Sequence, residues 1–445
     1  MDSRNSAVWR RPRMSALFIQ LVLAVQRSPW IHALSTMTKM AWRPLPHLPQ
    51  IERRGVLSGG ASLATAVATG VVQPHDAFAA DETYGSTPAV SEGRKALRSV
   101  SSVDSHPVIP VWPSWAGGRV VPVSLGSAFE EPYLLLAHHK HWFDPRDPLR
   151  GPFKEVGKAL GLPYVDVEGF SMHPHRGFDV LTYVLDGSDG FRHRDSLGGS
   201  RTYRGGAAQW MRTGSGVVHE EFWETRQDRR TDVELFQIWI NLPASMKFDK
   251  PVVNYVGIGT DNPWLEGGGD SGDLQLDQAQ PAGSFSVRDV GSTLNLAAKQ
   301  AGAGVRPPVE ILHARIGPGG KWKIKSPQKH SALLYVREGV ASIQSELQQP
   351  STVRALQTAT FAPDGDSIVV CNSQNGGGAN TLDVLLLMAE PLCEPVALGG
   401  PIVMNTEAEL NDAYQQLRDG SFLDRDYAIR QQAKTSRRYS SKNAY

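Results

Sequence analysis

Two short motifs carry the side chains best suited to bind a transition metal. His173 and His175 form a His-x-His pair, and His219 and Glu221 form a His-x-Glu pair further along the chain. On a β-strand, residues i and i+2 point to the same face, so each pair would project together and Glu220 would point away. Three imidazole nitrogens and one carboxylate oxygen suit a divalent ion such as Fe, Mn, Ni, Cu or Zn. Two such pairs on neighbouring strands therefore predict one metal site.

The other histidines lack this combination. Residues 138–141 (HHKH) contain an i, i+2 pair, but they lie outside the predicted strand series and no second pair accompanies them. His193, His313 and His330 each stand alone in the sequence. We therefore interpret these histidines as surface or core residues and not as metal ligands.

The strands that must position the motifs are indicated by short apolar runs between Gly, Pro, Asp and Asn. The runs lie at residues 179–185, 207–211 and 235–240 in the first half of the body, and at 311–316, 332–336, 359–361, 367–371 and 382–388 in the second. Several are apolar on both faces, as expected of strands packed on both sides. Similar spacing in the two halves predicts an all-β chain with two tandem jelly-roll barrels of the cupin kind.

One helix is predicted after the second barrel. Thr406 and Glu409 have the spacing of a capping box, and Gly420 is placed to end the helix. An apolar face recurs at helical spacing, formed by Leu410, Ala413, Tyr414 and Leu417. We expect this helix to pack against a sheet in a structural role.

Composition excludes several classes of protein. The 445 residues include 46 Lys and Arg against 45 Asp and Glu, so there is no general basic field for nucleic acid or an anionic membrane. Cys371 and Cys393 are the only cysteines, which excludes a disulfide scaffold and a Cys-rich zinc module. No uninterrupted apolar run reaches the roughly 18–20 residues of a membrane helix, so we expect no transmembrane segment in the mature protein.

The first 79 residues resemble a targeting leader in three parts. They carry nine Lys and Arg against three acidic residues. An arginine-rich start precedes the apolar stretch 14–25, a stretch without acidic residues follows, and Arg53-Arg54 then precedes an A-x-A site at residues 77–79. This order of signal, transit and twin-arginine segments predicts a plastid protein and resembles the leader of a thylakoid-lumen protein. The alternative is a disordered tail on a nuclear or cytoplasmic protein.

Longer motifs identify a resemblance to the pirin family. HPHRGF begins at His173, HRDSLGG at His193, QWMRTGSGVVHEE at Gln209 and FQIWINLP at Phe236. Together they are similar to the N-terminal cupin of pirins, and residues 389–406 (AEPLCEPVALGGPIVMNT) resemble the pirin C-terminal signature. The resemblance covers about residues 120–423.

The resemblance implies a bicupin fold and a metal in the first barrel. Iron, as Fe(2+), would be bound by His173, His175, His219 and Glu221, although another divalent ion would also fit. The second barrel lacks the His-x-His pattern, so no second metal is expected there, and residues beyond Glu310 are expected to contribute packing only. The chain departs from the family at Met172, where an Asp is usual, and in longer segments at residues 143–169 and 261–284.

Two functions from different classes follow from the resemblance. The first is an iron-dependent dioxygenase of the quercetin 2,3-dioxygenase kind, using O2 and a flavonol or other small phenolic substrate, with Glu221 as ligand and as a base near the substrate hydroxyl. The second is a non-catalytic, redox-sensing regulatory protein of the transcription-cofactor type, and a storage role is a third reading. No direct nucleic-acid binding is expected, and the sequence names no protein partner.

The predicted organisation has six segments. They are the leader at 1–79, a linker at 80–119, the first cupin with the metal site at 120–260, an inter-domain loop at 261–304, the second cupin at 305–423 and a polar tail at 424–445.

Overall fold

The computed structural model describes most of the chain beyond the predicted leader. The described residues are 97–110, 117–125, 131–146, 169–256, 265–268, 283–291, 308–346, 349–372 and 381–424. In these ranges no helix is both long enough and apolar enough to cross a membrane. The leader and nearly all of the polar tail lie outside them.

The described residues are mostly β-strand. The strands up to residue 256 are β1 (Val100–Ser105), β2 (Ile109–Pro110), β3 (Arg119–Ser124), β4 (Tyr133–Phe143), β5 (Gly169–His175), β6 (Phe178–Val184), β7 (Phe191–Asp195), β8 (Ser200–Tyr203), β9 (Ala208–Arg212), β10 (Val217–Trp223), β11 (Thr231–Asn241) and β12 (Val252–Val256). A 3-10 turn at Ala244–Met246 separates the last two.

The second series of strands ends in a hairpin and a helix. These elements are β13 (Leu265–Gly268), β14 (Ser284–Asp289), β15 (Val309–Ile316), β16 (Lys321–Lys325), β17 (Ser331–Glu338), β18 (Val340–Ile343), β19 (Ser351–Arg354), β20 (Gln357–Phe361), β21 (Ser367–Asn372), β22 (Leu382–Ala389), β23 (Ala397–Gly399), β24 (Ile402–Met404) and α1 (Glu407–Asp419).

Each half folds two antiparallel sheets against one another. In the first barrel, a seven-stranded sheet ordered β12-β9-β6-β11-β4-β3-β2 faces a four-stranded sheet ordered β5-β10-β7-β8. In the second barrel, the sheets are ordered β1-β20-β17-β22-β15-β14-β13 and β16-β21-β18-β19. The prediction of two tandem cupin-type barrels followed by a helix is therefore confirmed.

The two large sheets pack face to face, which explains strands that are apolar on both sides. All seven residues of β6 and all eight of β22 are buried. One side of each strand lines its own barrel, and the other contributes to an apolar cluster shared by both barrels. Tyr133 reaches across this cluster, where its hydroxyl donates to the carbonyl oxygens of Glu310 and Met388 at 2.8 and 2.9 Å.

A polar relay crosses the same interface. The Tyr183 hydroxyl of the first barrel lies 3.0 Å from His313 Nδ1 of the second, and His313 Nε2 lies 2.9 Å from the carboxylate of Asp383. All three side chains are buried. Because a carboxylate only accepts, His313 donates a hydrogen bond to Asp383 through Nε2–H. Its Nδ1 accepts the hydrogen bond that the Tyr183 hydroxyl donates.

A second relay runs in the opposite direction. The Tyr335 hydroxyl of the second barrel lies 2.9 Å from His138 Nδ1 of the first, and His138 Nε2 lies 2.8 Å from Glu234. Arg337 joins the two relays because it donates to Glu234 at 3.0 Å and to Asp383 at 2.8 Å. The strand register is equivalent in the two barrels, so the relays are related by an approximate two-fold arrangement.

The helix forms as predicted. Thr406 accepts from the Glu409 N–H, the Glu409 side chain accepts from the Thr406 N–H, and Gly420 ends the helix with a φ of 82°. Leu410 and Ala413 pack into a cluster with the β23–β24 hairpin and with Phe248 of the first barrel. The chain thus returns from the second barrel to cover the first.

Three assignments made from sequence are wrong. The predicted linker contains β1, which pairs with β20 in the second barrel because its backbone finds a free sheet edge despite its polar side chains. The predicted inter-domain loop contains β13 and β14, which extend the same sheet beside β15. Residues 138–141 belong to the central strand β4 and do not lie outside the strand series.

Candidate metal centre

The two predicted metal-binding pairs lie on adjacent strands of the small sheet in the first barrel. His219 of β10 is directly opposite His173 of β5, and Val217 is opposite His175. Alternate residues of β10 are buried, so His219 and Glu221 face the barrel interior. Glu220 faces outward, where it pairs with Arg194 at 2.7 Å. The predicted strand alternation is confirmed.

A register shift between β5 and β10 sets the position of Glu221. Between His219 and Glu221 the pairing with β5 slips, so that Glu221 is opposite Phe170. At Gly169, the first residue of β5, the backbones of β5 and β10 approach closely. A Cβ on Gly169 would lie 2.2 Å from the Glu221 carbonyl oxygen. A side chain at this position would push the strands apart, which accounts for the glycine.

The four predicted residues fall into two groups that share His219. The ring centroids of His173 and His175 lie 4.3 and 4.9 Å from that of His219. These three histidines form one group whose ligand atoms lie within 4.8 Å of one another, and Glu221 joins a second such group through His219. His219 is therefore the member common to both groups.

Neighbouring strands and the C-terminal hairpin fix two of these side chains. The His175 Nδ1–H donates to the Pro401 carbonyl oxygen at 3.3 Å, which leaves the Nε2 lone pair for the site. The Glu221 carboxylate accepts from the Thr182 hydroxyl at 3.3 Å and from the Gln237 amide at 3.0 Å. Residues beyond Glu310 thus contribute a positioning contact to the site, in addition to the packing expected of them.

Burial sets the charge of the site. Loss of water lowers the pKa of His175 and of His219 well below the usual histidine value, and nearby histidines lower it further. Both rings are therefore neutral near pH 7, the form that binds metals. Burial raises the pKa of Glu221, against the lowering effect of its hydrogen-bond donors. A bound cation would compensate the desolvation of this carboxylate.

The donor set fits a transition metal. His219 Nε2 is buried and has no hydrogen-bond partner, which is rare for a buried polar atom. A lone pair in this state, beside two further imidazoles and a carboxylate, matches the nitrogen and oxygen ligands of Fe, Mn, Ni, Cu or Zn sites. No thiolate lies in these groups of described residues.

His193 belongs to the site although the sequence analysis set it aside. It lies on β7 opposite Glu221, its Nδ1 is 3.3 Å from His219 Nδ1, and it is 2% exposed. His193 is a core residue, as interpreted from the sequence. It is not isolated, because it lies beside His219 and Glu221. The signal that was available is a third i, i+2 pair, His193 and Asp195, on the next strand of the same sheet.

The other described histidines that the sequence analysis considered lie outside these two groups. His138 and His313 belong to the relays between the barrels, and His330 is partly exposed beside Glu310. His139 and His141 share the interior of the first barrel, where their rings stack at 5.3 Å. Met172 is 37% exposed, so the residue that replaces the usual Asp points away from the site.

Together these features define a two-barrel cupin with a candidate metal centre in its first barrel. The Pirin family profile matches residues 149–240, and the profile of the Pirin C-terminal cupin domain matches residues 311–423. The chain belongs to the pirin family.

Named relatives agree with this assignment. Pirin-1 of Arabidopsis thaliana is 30% identical over 57% of this chain and 78% of its own length. A Pseudomonas aeruginosa protein named "Putative quercetin 2,3-dioxygenase" is 33% identical over 57% of this chain and 80% of its own length. The crystal structure of a quercetin 2,3-dioxygenase from Acinetobacter baumannii covers 74% of this chain and 99% of its own at 23% identity, with a TM-score of 0.55.

Proposed function

We propose that this chain is an iron-dependent dioxygenase that acts on a flavonol or related phenol. The observation that carries the proposal is the pair of ligand groups that share the buried His219, one with His173 and His175 and the other with Glu221, together with the unpartnered Nε2 of His219. The quercetin 2,3-dioxygenase names of the Pseudomonas and Acinetobacter proteins support the choice of reaction. The proposed ligands are His173, His175, His219 and Glu221.

A metal held at this site would suit the activation of a phenol. A bound divalent ion would act as a Lewis acid that favours the phenolate form of a substrate hydroxyl. Glu221 is the carboxylate of the site, and when released from the ion it would accept that hydroxyl's proton. His173 is the partly exposed member of the cluster, so we propose that substrate approaches from its side.

The test measures metal and oxygen in the same samples. Protein reconstituted with Fe(2+) without oxygen should consume O2 when quercetin is added, and His175→Ala should lose both the metal and the activity. Glu220→Gln is the matched control, because it changes the neighbouring carboxylate that faces outward. Metal binding without O2 consumption across a panel of phenols would reject the enzyme and favour the regulatory alternative.

We also propose a plastid location from the order of leader segments, which lie outside the described residues. A fluorescent fusion of residues 1–105 should enter plastids, and the double change Arg53→Lys, Arg54→Lys should block the last step to the lumen. Nuclear or cytosolic fluorescence from the unchanged leader would reject this proposal.

A further inference from the structure

Strand β7 presents two buried side chains to the metal-binding strand β10. His219 is paired in register with Asp195, and Glu221 is paired with His193. The alternation of β7 is complete, since His193 and Asp195 are buried and the intervening Arg194 is exposed. The two side chains therefore form the layer directly beside the proposed ligands.

The Asp195 carboxylate is held by three donors. His193 Nε2 lies 2.9 Å from Oδ2, and the backbone N–H groups of Leu197 and Gly199 donate to Oδ1 at 2.7 and 3.1 Å. A Cβ on Gly199 would lie 2.4 Å from Oδ2, so the glycine leaves the space that the carboxylate fills. Burial alone would raise the pKa of Asp195, but these hydrogen bonds lower it, and the group stays an anion.

The turn after β7 is hydrogen-bonded to β10, the strand that carries His219 and Glu221. The Ser196 N–H donates to the Val218 carbonyl oxygen at 2.8 Å, and the Val218 N–H donates to the Ser196 hydroxyl at 3.1 Å. Val218 precedes His219 directly in β10. The segment HRDSLGG thus locks the His193–Asp195 pair against the backbone of a proposed ligand.

This arrangement determines which ring atoms carry protons. A carboxylate only accepts, so His193 donates to Asp195 through Nε2–H, which leaves its Nδ1 to accept a hydrogen bond from a neighbouring N–H. His219 Nδ1, 3.3 Å away, must then be the donor. With its proton on Nδ1, His219 has a lone pair on Nε2, which is the buried atom that lacks a partner.

We propose that His193 and Asp195 are positioning residues that hold His219 in the Nδ1–H tautomer, with Nε2 directed to the metal. This inference rests on the proposed metal site. It also decides between the two groups that share His219, because a His193 whose Nδ1 accepts from His219 is not itself a ligand. A ligand histidine fixed by an imidazole and a carboxylate matches the way outer hydrogen bonds orient metal-bound histidines in general.

Asp195→Asn would reverse the relay without changing its shape. The two backbone donors at Oδ1 hold the amide oxygen there, so the amide nitrogen would face His193. His193 Nε2 must then accept, and its Nδ1–H would donate to His219 Nδ1. His219 would carry its proton on Nε2, and the lone pair would be lost from the metal side.

The first test needs no metal. Nitrogen-15 NMR of histidine-labelled, metal-free protein at about pH 8, where an ordinary histidine is neutral, distinguishes the two tautomers by their ring shifts. We expect Nδ1–H at His219 in the wild type and Nε2–H in Asp195→Asn. An Nε2–H tautomer at His219 in the wild-type protein would overturn the proposal, whatever the protein does with metal.

The second test measures metal affinity by titration of apo protein with Co(2+). Asp195→Asn and His193→Leu should bind about 10–100-fold more weakly than the wild type. His193→Gln should restore most of the affinity, because its amide can accept from His219 and donate to Asp195. Arg194→Gln, on the same strand but facing outward, should leave the affinity unchanged.

The outcomes separate the two proposals. If His193→Gln binds as weakly as His193→Leu, His193 is a ligand and the positioning role is wrong. If the tautomers are as expected but the wild type binds no Co(2+) or Fe(2+), the relay stands as structure and the proposed function fails.

Discussion

The two barrels share the same order of strands in their sheets but differ in the side chains that point into their interiors. Strands β16 and β21 of the second barrel occupy the places of β5 and β10 in the first, as the sheet orders show. By register, Trp322 paired with Val370 corresponds to His173 paired with His219. In the second barrel, Trp322 and Val370 belong to a cluster of buried apolar side chains. The inward positions of these strands therefore hold either a candidate metal site or a packed core within the same sheet order, although the pairing of β5 with β10 shifts register and that of β16 with β21 does not.

The strongest test of this comparison replaces one residue of each corresponding pair. His173→Ala should reduce the metal content to near background while the metal-free protein keeps its stability. Trp322→Ala should keep the metal but lower the free energy of unfolding by about 3–5 kcal/mol, because it leaves a large cavity. Metal analysis and urea unfolding of both variants measure this. Loss of metal from Trp322→Ala would show that the barrels are not independent.

The relays between the barrels test where the halves are alike. Tyr183→Phe and Tyr335→Phe each leave a buried histidine Nδ1 without its donor, which should cost about 1–3 kcal/mol. We expect the larger cost from Tyr183→Phe, because the Tyr183 hydroxyl also accepts from Arg288 at 2.9 Å. Chemical unfolding of the single variants measures them. A large loss of unfolding free energy for one variant and none for the other would show that the two relays share a geometry but do not both contribute to stability.

Acid should affect the first barrel before the second. Burial lowers the pKa of His141 to about 3 and lowers those of His138 and His139. A histidine whose folded pKa lies below its unfolded value of about 6.5 stabilises the fold above that pH, and the stabilisation is lost as the pH falls towards the folded value. For His141 the window lies between about 6.5 and about 3.

Hydrogen exchange of the metal-free protein measures this difference. Between pH 7.5 and pH 5, values chosen on either side of about 6.5, strands β4 and β10 should lose protection before β16 and β21. His141→Phe should make the loss of stability with pH less steep. Equal loss of protection in both barrels would assign the acid response to the shared interface, where His313 also lies.

The smallest effect is expected at the helix that joins the two regions. Thr406→Ala removes a capping box and should cost about 1 kcal/mol. The metal content should not change, because Pro401 is held in the hairpin and not by the cap. Glu407→Gln, in the same first turn, should cost less than Thr406→Ala. A fall in metal content for Thr406→Ala would show that the helix itself positions His175.

Much of the architecture was predictable because periodicity reports local burial. Apolar runs indicated β6, β9 and β11 of the first barrel and five strands of the second, although not β4, and the i, i+2 rule placed His219 and Glu221 on one face. The capping box of Thr406 and Glu409 was readable because it is a local interaction. The pirin motifs added the family, which the profiles and relatives confirm.

The rest depends on contacts between distant segments. His193 seemed isolated in sequence because its partners Glu221 and His219 come from another strand. The relays through His138 and His313 join residues about 200 positions apart in one case and 130 in the other. Strand β1 was missed because the edge of β20, and not its own polar sequence, makes it a strand. No periodicity records such pairings.

Each end of the described chain packs on the barrel that is more distant in sequence. Near the start, Arg98 is buried and bonds to the Ala362 and Phe361 carbonyl oxygens, so the first described strand belongs to the second barrel. Near the end, Gln416 and the Phe422 carbonyl oxygen accept from Arg176 of the first barrel. A chain cut between the barrels would give two fragments, each carrying a piece of the other's fold. Such fragments should fold poorly alone and restore the protein when mixed, so the molecule is suited to a split reporter whose signal is reassembly of the candidate metal centre.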